Sequence, residues 1–284
     1  MHDEKYRKYK AMREDKLVKV TVEEMEKIVR SEEPVFENRK DSQKVHTKGR
    51  ADYVTDVDFH VQKDLTEKLK AAFPEVQMMG EEKDNSAIDF DGAVWILDPV
   101  DGTTNLIHDM RASAISLAYA ENGIIRAGVI FCPFSGEMYT AERGKGAFLN
   151  GSPIHVSGAA SLEESLISIG TAPYYHEYAD WTFRAAENVF LKCQDIRRSG
   201  SAAIELSYLS AGRLDGTFER ILQPWDFSAG LCILEEAGGR VTDLEGKPVD
   251  FTGKSPIVAS NGKIHEALLA CLRDQDTGAC GREK

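Results

Sequence analysis

The chain has 284 residues, 42% of them hydrophobic and 29% charged, and 35 Lys and Arg against 47 Asp and Glu leave a formal charge of −12. That length suits one large or two ordinary domains with a packed core, and no apolar run reaches the roughly 18 residues of a membrane-spanning helix. So acidic a balance argues against nucleic acid held by clustered Lys and Arg, and it permits an acidic site for cations. The first stretch, MHDEKYRKYKAMREDK, has no apolar segment of the kind a signal peptide needs. The five Cys are odd in number, with no C-x-x-C pair, and read as reduced thiols. A cytoplasmic protein with neither a membrane nor a nucleic acid as partner is the expectation.

Residues 1–17 alternate charges without an apolar face and read as a solvated extension or helix start. Val22, Met25 and Val29 fall at helical spacing, as do Val61, Leu65, Leu69 and Ala72, whose helix ends at Phe73-Pro74. From Val76 the texture changes. VQMMG and AVWILD are short apolar runs of the kind buried on both faces of a sheet, and SAISLAYAE and IIRAGVIF flank the hairpin signal Asn122-Gly123. With a further turn at Asn150-Gly151, residues 113–157 read as an antiparallel sheet. After the small, polar GAASLEES, strands at LISIG, LDGTF and PIVAS alternate with helical stretches near 177–192, 201–211, 226–237 and 262–273. An α+β first half (1–157) and an α/β second half (158–284) follow from this pattern.

Several chemistries fail on spacing. Gly144-Lys145-Gly146 continues to Leu149 where a dinucleotide fingerprint needs Gly, and Gly253-Lys254-Ser255 lacks the first Gly of a P-loop. There is no G-x-S-x-G and no zinc-type His spacing. The informative string is Asp98-Pro-Val-Asp101-Gly102-Thr103-Thr104-Asn105. A buried strand ending at Asp98 delivers its carboxylate to the sheet edge where α/β folds bind ligands. A turn through Pro99-Val100 can bring Asp101 to the same hard cation. Gly102 permits close backbone approach, and the amides of Gly102, Thr103 and Thr104 suit a phosphate. Alone, D-x-x-D in so acidic a chain reads equally as a strand end and a helix cap. Glu81 in Gly80-Glu81-Glu82 alone reads as an acidic turn, Asp226 as a helix cap, and Asp52 and Thr55 as turn or capping residues.

These residues together resemble the inositol monophosphatase family, within the magnesium-dependent phosphatase superfamily that includes fructose-1,6-bisphosphatase. The resemblance spans about residues 48–272 and rests on Ala51-Asp52-Tyr-Val-Thr55, Gly80-Glu81-Glu82, D-P-V-D-G-T-T-N and Pro224-Trp225-Asp226-x-Ser-Ala-Gly230, in that order. It implies a layered αβαβα sandwich and a homodimer. It implies that Glu81, Asp98, Asp101 and Asp226, with the Val100 carbonyl, bind two or three Mg²⁺, and an all-oxygen set agrees with a hard cation. It implies in-line hydrolysis of a phosphate monoester by a metal-activated water oriented by Glu81 and Thr103, with Asp52 as support. Gly102, Thr103, Thr104, Gly200, Ser201, Ala202, Glu219 and Asp226 would bind the substrate. That substrate would be an inositol monophosphate or a related sugar or polyol phosphate, and lithium would inhibit. A 3′,5′-bisphosphonucleotide, fructose 1,6-bisphosphate and histidinol phosphate are the alternative substrates. The alternative of another class is a non-catalytic, metal-binding regulatory protein. Leu106 and Arg111 depart from the family's usual aromatic and Pro in that region, and the charged 30–50 stretch gives no sign of a third metal site.

Overall fold

The structure, a computed structural model, describes residues 20–37, 44–49 and 52–273. The extension expected over 1–17 lies outside the described residues. Helix α1 (Val22–Arg30) starts at Thr21, whose hydroxyl accepts the Glu24 amide while Glu24 bonds back to the Thr21 amide, a reciprocal cap. After α2 (Glu33–Phe36), β1 (Val45–Gly49) and β2 (Asp52–Thr55) pair antiparallel. The sequence reading places no element in 30–50, because β1 is exposed at all five positions and shows no apolar alternation. Asp52, expected in a turn, lies in β2 opposite Gly49, whereas Thr55 does cap α3 (Asp56–Ala72).

Next, β3 (Gln77–Gly80) runs parallel to β4 (Ala93–Asp101), which leads into the short α4 (Thr103–Ile107). The meander then follows as expected: β5 (Ala114–Glu121), β6 (Ile124–Cys132), β7 (Glu137–Glu142), β8 (Ala147–Leu149) and β9 (Ser152–Ile154), each antiparallel to the last. At both Asn-Gly turns the two residues have positive φ, 54° and 70° at Asn122-Gly123 and 49° and 77° at Asn150-Gly151. That backbone matches the twist of the flanking strands.

The second half supplies β10 (Leu166–Ile169), α5 (Ala179–Phe190), β11 (Asp195–Arg197), α6 (Ala202–Ser210), β12 (Gly216–Leu222) and α7 (Pro224–Glu236). It ends with β13 (Arg240–Thr242), β14 (Ser255–Ser260) and α8 (His265–Arg273). Its sheet has the order β11-β10-β12-β14-β13, with β10 parallel to both neighbours and the β12-β14-β13 side antiparallel.

Side-chain alternation stacks these elements in five layers. On β4, Trp95 and Leu97 face the core made with Met25 and Val29 of α1 and Val61 and Leu65 of α3. Their neighbours Val94 and Ile96 face the opposite core with Leu206 of α6 and Phe227 and Ile233 of α7. That central core also takes Ile257 and Ala259 of the five-stranded sheet. On the far side, Ile167, Phe218 and Val258 meet Ala185 and Val189 of α5 and Leu268 of α8. The order is helices, seven-stranded sheet, α6 and α7, five-stranded sheet, helices, the αβαβα sandwich expected.

The inner helices therefore come from the second half but pack on the sheet of the first. The contact is close: a Cβ at Gly128 in β6 would lie 2.5 Å from the Ala229 carbonyl oxygen of α7. Gly128→Ala should push α7 from the sheet, cost about 1–3 kcal/mol in urea unfolding and weaken the site that α7 carries. Unchanged stability would show that the helix yields freely.

Candidate active site

The seven-stranded sheet ends at the site. Asp98 faces Ser116 across β4 and β5 and Asp101 faces Ala114, so three residue steps oppose two and β4 bulges there. The bulge contains Pro99, and the Val100 amide bonds Asp98 Oδ1 at 3.0 Å. Gly102 then takes φ 87°, and a Cβ there would meet the Ala112 carbonyl oxygen at 2.9 Å. Its glycine is a steric requirement. The helix that follows has five residues, so it offers local N–H groups and little macrodipole.

Three other elements converge on this edge. Ser116 Oγ donates to the Trp225 carbonyl at 3.1 Å, which ties the start of α7 to the strand position opposite Asp98. Asp226 is the third residue of α7 and not its cap, as the sequence reading had it; its Oδ2 accepts the Gln223 amide at 2.7 Å. Asp101 Oδ2 accepts both Ser201 Oγ and the Ala203 amide at 2.6 Å, so a carboxylate of the first sheet caps α6 of the second half. Asn105 Nδ2 donates to the Ala112 and Ser199 carbonyls at 2.7 and 2.9 Å, fastening the 199–201 loop beside Gly102.

The cleft so formed has a volume of about 520 Å³. Around it stand Glu81, Asp98, Val100, Asp101 and Asp226, the 102–104 and 200–202 segments, and Glu219. Glu219 Oε1 accepts the Ala172 amide at 2.7 Å, and Gly170 leaves it room: a Cβ there would lie 2.1 Å from Oε2.

The sequence reading also placed Asp52 at the site; its side chain lies outside the described residues. The carboxylate behind Thr103 is Asp58. Its Oδ1 lies 2.9 Å from Thr103 Oγ1, and its Oδ2 accepts the Thr55 amide and hydroxyl at 2.8 and 2.6 Å. Asp58 belongs to the first turn of α3, which faces the core. A capping-box spacing, Thr55 to Asp58, was the available signal. Glu205 was also missed. Buried in α6, it accepts the Ser199 amide and hydroxyl at 3.0 and 2.9 Å and the Thr217 hydroxyl at 3.1 Å. One acid in the apolar run AAIELSYLS was its only trace.

Burial dominates the electrostatics. It pushes Glu81 up to about 7, although Lys48 opposes the shift and Glu82 and Asp58 add to it. Asp101 rises to about 6 by burial, despite its bonds to Ser201 and Ala203. Burial, and then the charges of the neighbouring acids, hold Asp98 and Asp226 well above the carboxylate range. Glu219 reaches about 8 through burial and the Glu205 charge. Lys48 bonds Glu81 at 3.2 Å and also Glu82. Burial alone would lower its pKa, but those two charges reverse the shift and raise it.

The donor set fits a divalent ion of the hard, oxygen-seeking kind. Asp98, Asp101 and Asp226 each commit one oxygen to a protein donor, which orients the other. Among the described residues no three acidic, imidazole or thiol groups form a finished cage. Open walls suit Mg²⁺, which keeps water and takes substrate oxygens alongside one or two carboxylates. Protons compete for the same oxygens. In the unfolded chain these acids ionise near pH 4, whereas the folded ones hold their protons to higher pH, so the folded state binds more protons. In EDTA, the melting temperature should fall as pH rises from 5 to 8, through the range where Asp101 and Glu81 ionise. The rise produced by MgCl₂ should be larger at pH 8 than at pH 5.5, as differential scanning fluorimetry can check; an equal rise would contradict an acid-cluster metal site.

Residues 15–277 match the inositol monophosphatase family. The chain is 38% identical over 226 residues to the fructose-1,6-bisphosphatase/inositol-1-monophosphatase of Thermotoga maritima, covering 80% of this chain and 84% of that protein. It is 35% identical over 242 residues to Nus factor SuhB of Escherichia coli, covering 85% of this chain and 90% of that protein. The crystal structure of extragenic suppressor protein suhB from Bartonella henselae superposes with a TM-score of 0.83 at 35% identity, over 88% of this chain and 97% of that one. The chain therefore belongs to the inositol monophosphatase family, whose members are in general phosphatases that use a divalent metal, Mg²⁺.

Proposed function

We propose that the protein hydrolyses a phosphate monoester of inositol or of a related sugar or polyol, in the cytoplasm, with Mg²⁺ held by Glu81, Asp98, Asp101, Asp226 and the Val100 carbonyl. The observation that carries this reading is the set of three aspartates on the cleft, Asp98 buried and Asp101 and Asp226 half-buried, with one oxygen each fixed by the protein. Bound Mg²⁺ would supply Lewis-acid polarisation of the phosphoryl oxygens and a lowered water pKa. Homodimerisation stands with the family resemblance.

The chain's own groups do the positioning. Thr103 Oγ1 has Asp58 Oδ1 and the Val100 carbonyl oxygen as acceptors, at 2.9 and 3.1 Å. Its hydrogen is thus taken, and its lone pairs are free to accept one from the attacking water. Glu81 accepts the proton that this water loses on attacking phosphorus in line. The 102–104 amides hold phosphoryl oxygens as negative charge shifts. Glu219, protonated at neutral pH by the shift to about 8, donates a hydrogen bond to a polyol hydroxyl. Ser201 and Ala202 line the same cleft.

The relatives named Nus factor SuhB make regulation a second activity to test in this chain. The intact ligand set favours catalysis. Purified protein with MgCl₂ should release phosphate from inositol 1-phosphate or another member of a polyol-phosphate panel, and no release from any member would refute the reading. Asp98→Asn should cut kcat by about a hundredfold or more with melting behaviour retained. Asp58→Asn should lower kcat by about tenfold or more, since Asp58 Oδ1 bonds the Thr103 hydroxyl. Li⁺ should inhibit in competition with added MgCl₂, and insensitivity would indicate an altered metal site.

A further inference from the structure

Glu81 leaves β3 where the sheet has an open side. β3 is the end strand of the seven-stranded sheet, and among the described residues no strand pairs with its outer edge. Successive residues of a strand turn their backbone groups to opposite sides. The Glu81 amide points inward, to the Leu97 carbonyl of β4 at 3.3 Å. Gly80, one residue earlier, turns its N–H and C=O outward, where an edge strand presents unpaired groups.

Here the Asn85 carboxamide takes both. Its Oδ1 accepts the Gly80 amide at 3.1 Å, and its Nδ2 donates to the Gly80 carbonyl at 2.9 Å. One side chain, acceptor and donor at once, thus bonds both groups that a neighbouring strand would pair. The same device closes the edge three residues earlier: Gln77 Oε1 accepts the Asp89 amide at 2.9 Å, and Gln77 Nε2 donates to the Asp89 carbonyl at 2.8 Å. Between them Lys83 Nζ donates to the Met78 carbonyl at 3.1 Å. The two clamps differ in what they hold. Gln77 fastens the loop to the start of β3, whereas Asn85 grips the residue to which Glu81 is attached. Gly80 is also confined by α3, since a Cβ there would lie 2.6 Å from Gln62 Oε1.

The cleft aspartates each have an oxygen fixed by a nearby protein donor. The Glu81 carboxylate meets instead Lys48 of the exposed β1, so its place depends on where its own backbone is held. We propose that Asn85 is the positioning residue for Glu81: by completing the open edge of β3 it fixes the backbone from which the Glu81 carboxylate reaches the metal and the attacking water. This rests on the phosphatase reading of the cleft. It deepens that reading by adding a residue that touches neither ligand.

Asn85→Ala and Gln77→Ala each remove one such clamp from the same edge, so they should lower the melting temperature alike and differ at the site. Asn85→Ala should cut kcat by about tenfold or more and raise the Mg²⁺ concentration for half-maximal rate by a similar factor, with KM for the ester nearly unchanged. Gln77→Ala should leave kcat and the Mg²⁺ requirement within about twofold of the unaltered protein. Asn85→Asp, of the same size but without an N–H for the Gly80 carbonyl, should lose activity as Asn85→Ala does. Calorimetric titration with MgCl₂ alone should show weaker binding by Asn85→Ala without any turnover. Hydrogen exchange at the Glu81 amide should quicken by about tenfold or more in Asn85→Ala and stay unchanged in Gln77→Ala. Equal effects of the two alanine variants on kcat and Mg²⁺ dependence, or unchanged exchange at Glu81 in Asn85→Ala, overturn the positioning role while the phosphatase reading stands. If the unaltered protein cleaves no ester, but Asn85→Ala alone quickens exchange at Glu81 and weakens Mg²⁺ binding, the positioning role is supported and the phosphatase reading fails.

Discussion

Everything in this molecule depends on holding several carboxylates together where water is scarce. Asp98 is almost fully buried, Asp101 and Asp226 lie within its electrostatic reach, and Glu81 adds a fourth charge. Like charges in low dielectric repel strongly and give up ionisation unless a cation compensates them. The raised pKa values are the signature of that conflict. A structural ion pair would have paired each acid with a base, and among the described residues only Glu81 of these four has one, in Lys48.

The architecture answers the conflict by fixing one oxygen of each aspartate and leaving the other open. The fixing donors come from different parts of the chain. Asp98 is held by the amide two residues on, Asp226 by an amide before its own helix, and Asp101 by the start of α6 a hundred residues away. The central core makes those distances dependable. α6 and α7 are clamped between two sheets, and α7 approaches β6 so closely that only a glycine fits beneath it. Packing to that density transmits position, because interiors resist displacement.

A second set of buried polar groups supports the first. Asp58 fixes the Thr103 hydroxyl, Glu205 fixes the Ser199 loop, and Asn105 fastens that loop to the bulge. None of these groups has to touch a substrate. Each holds a group that would, and a buried acid satisfied by hydroxyls and amides avoids the penalty of an unpaired charge.

Periodicity in the sequence determined the elements. Helical spacing along α3, alternation along β4 to β7 and the two Asn-Gly turns are local properties, and local physics decides them. Motif order also marked the acids of the cleft, since strand ends and glycines appear in sequence. β1 was illegible because an exposed ribbon carries no apolar pattern. Asp58 went unmarked, since an acid near a helix start reads as a cap and only packing shows that it meets Thr103. The pairing of Asp101 with Ser201 and the role of Glu205 belong to tertiary structure alone. They depend on contacts between residues far apart in the chain, and such contacts are set by the shape of the shared core.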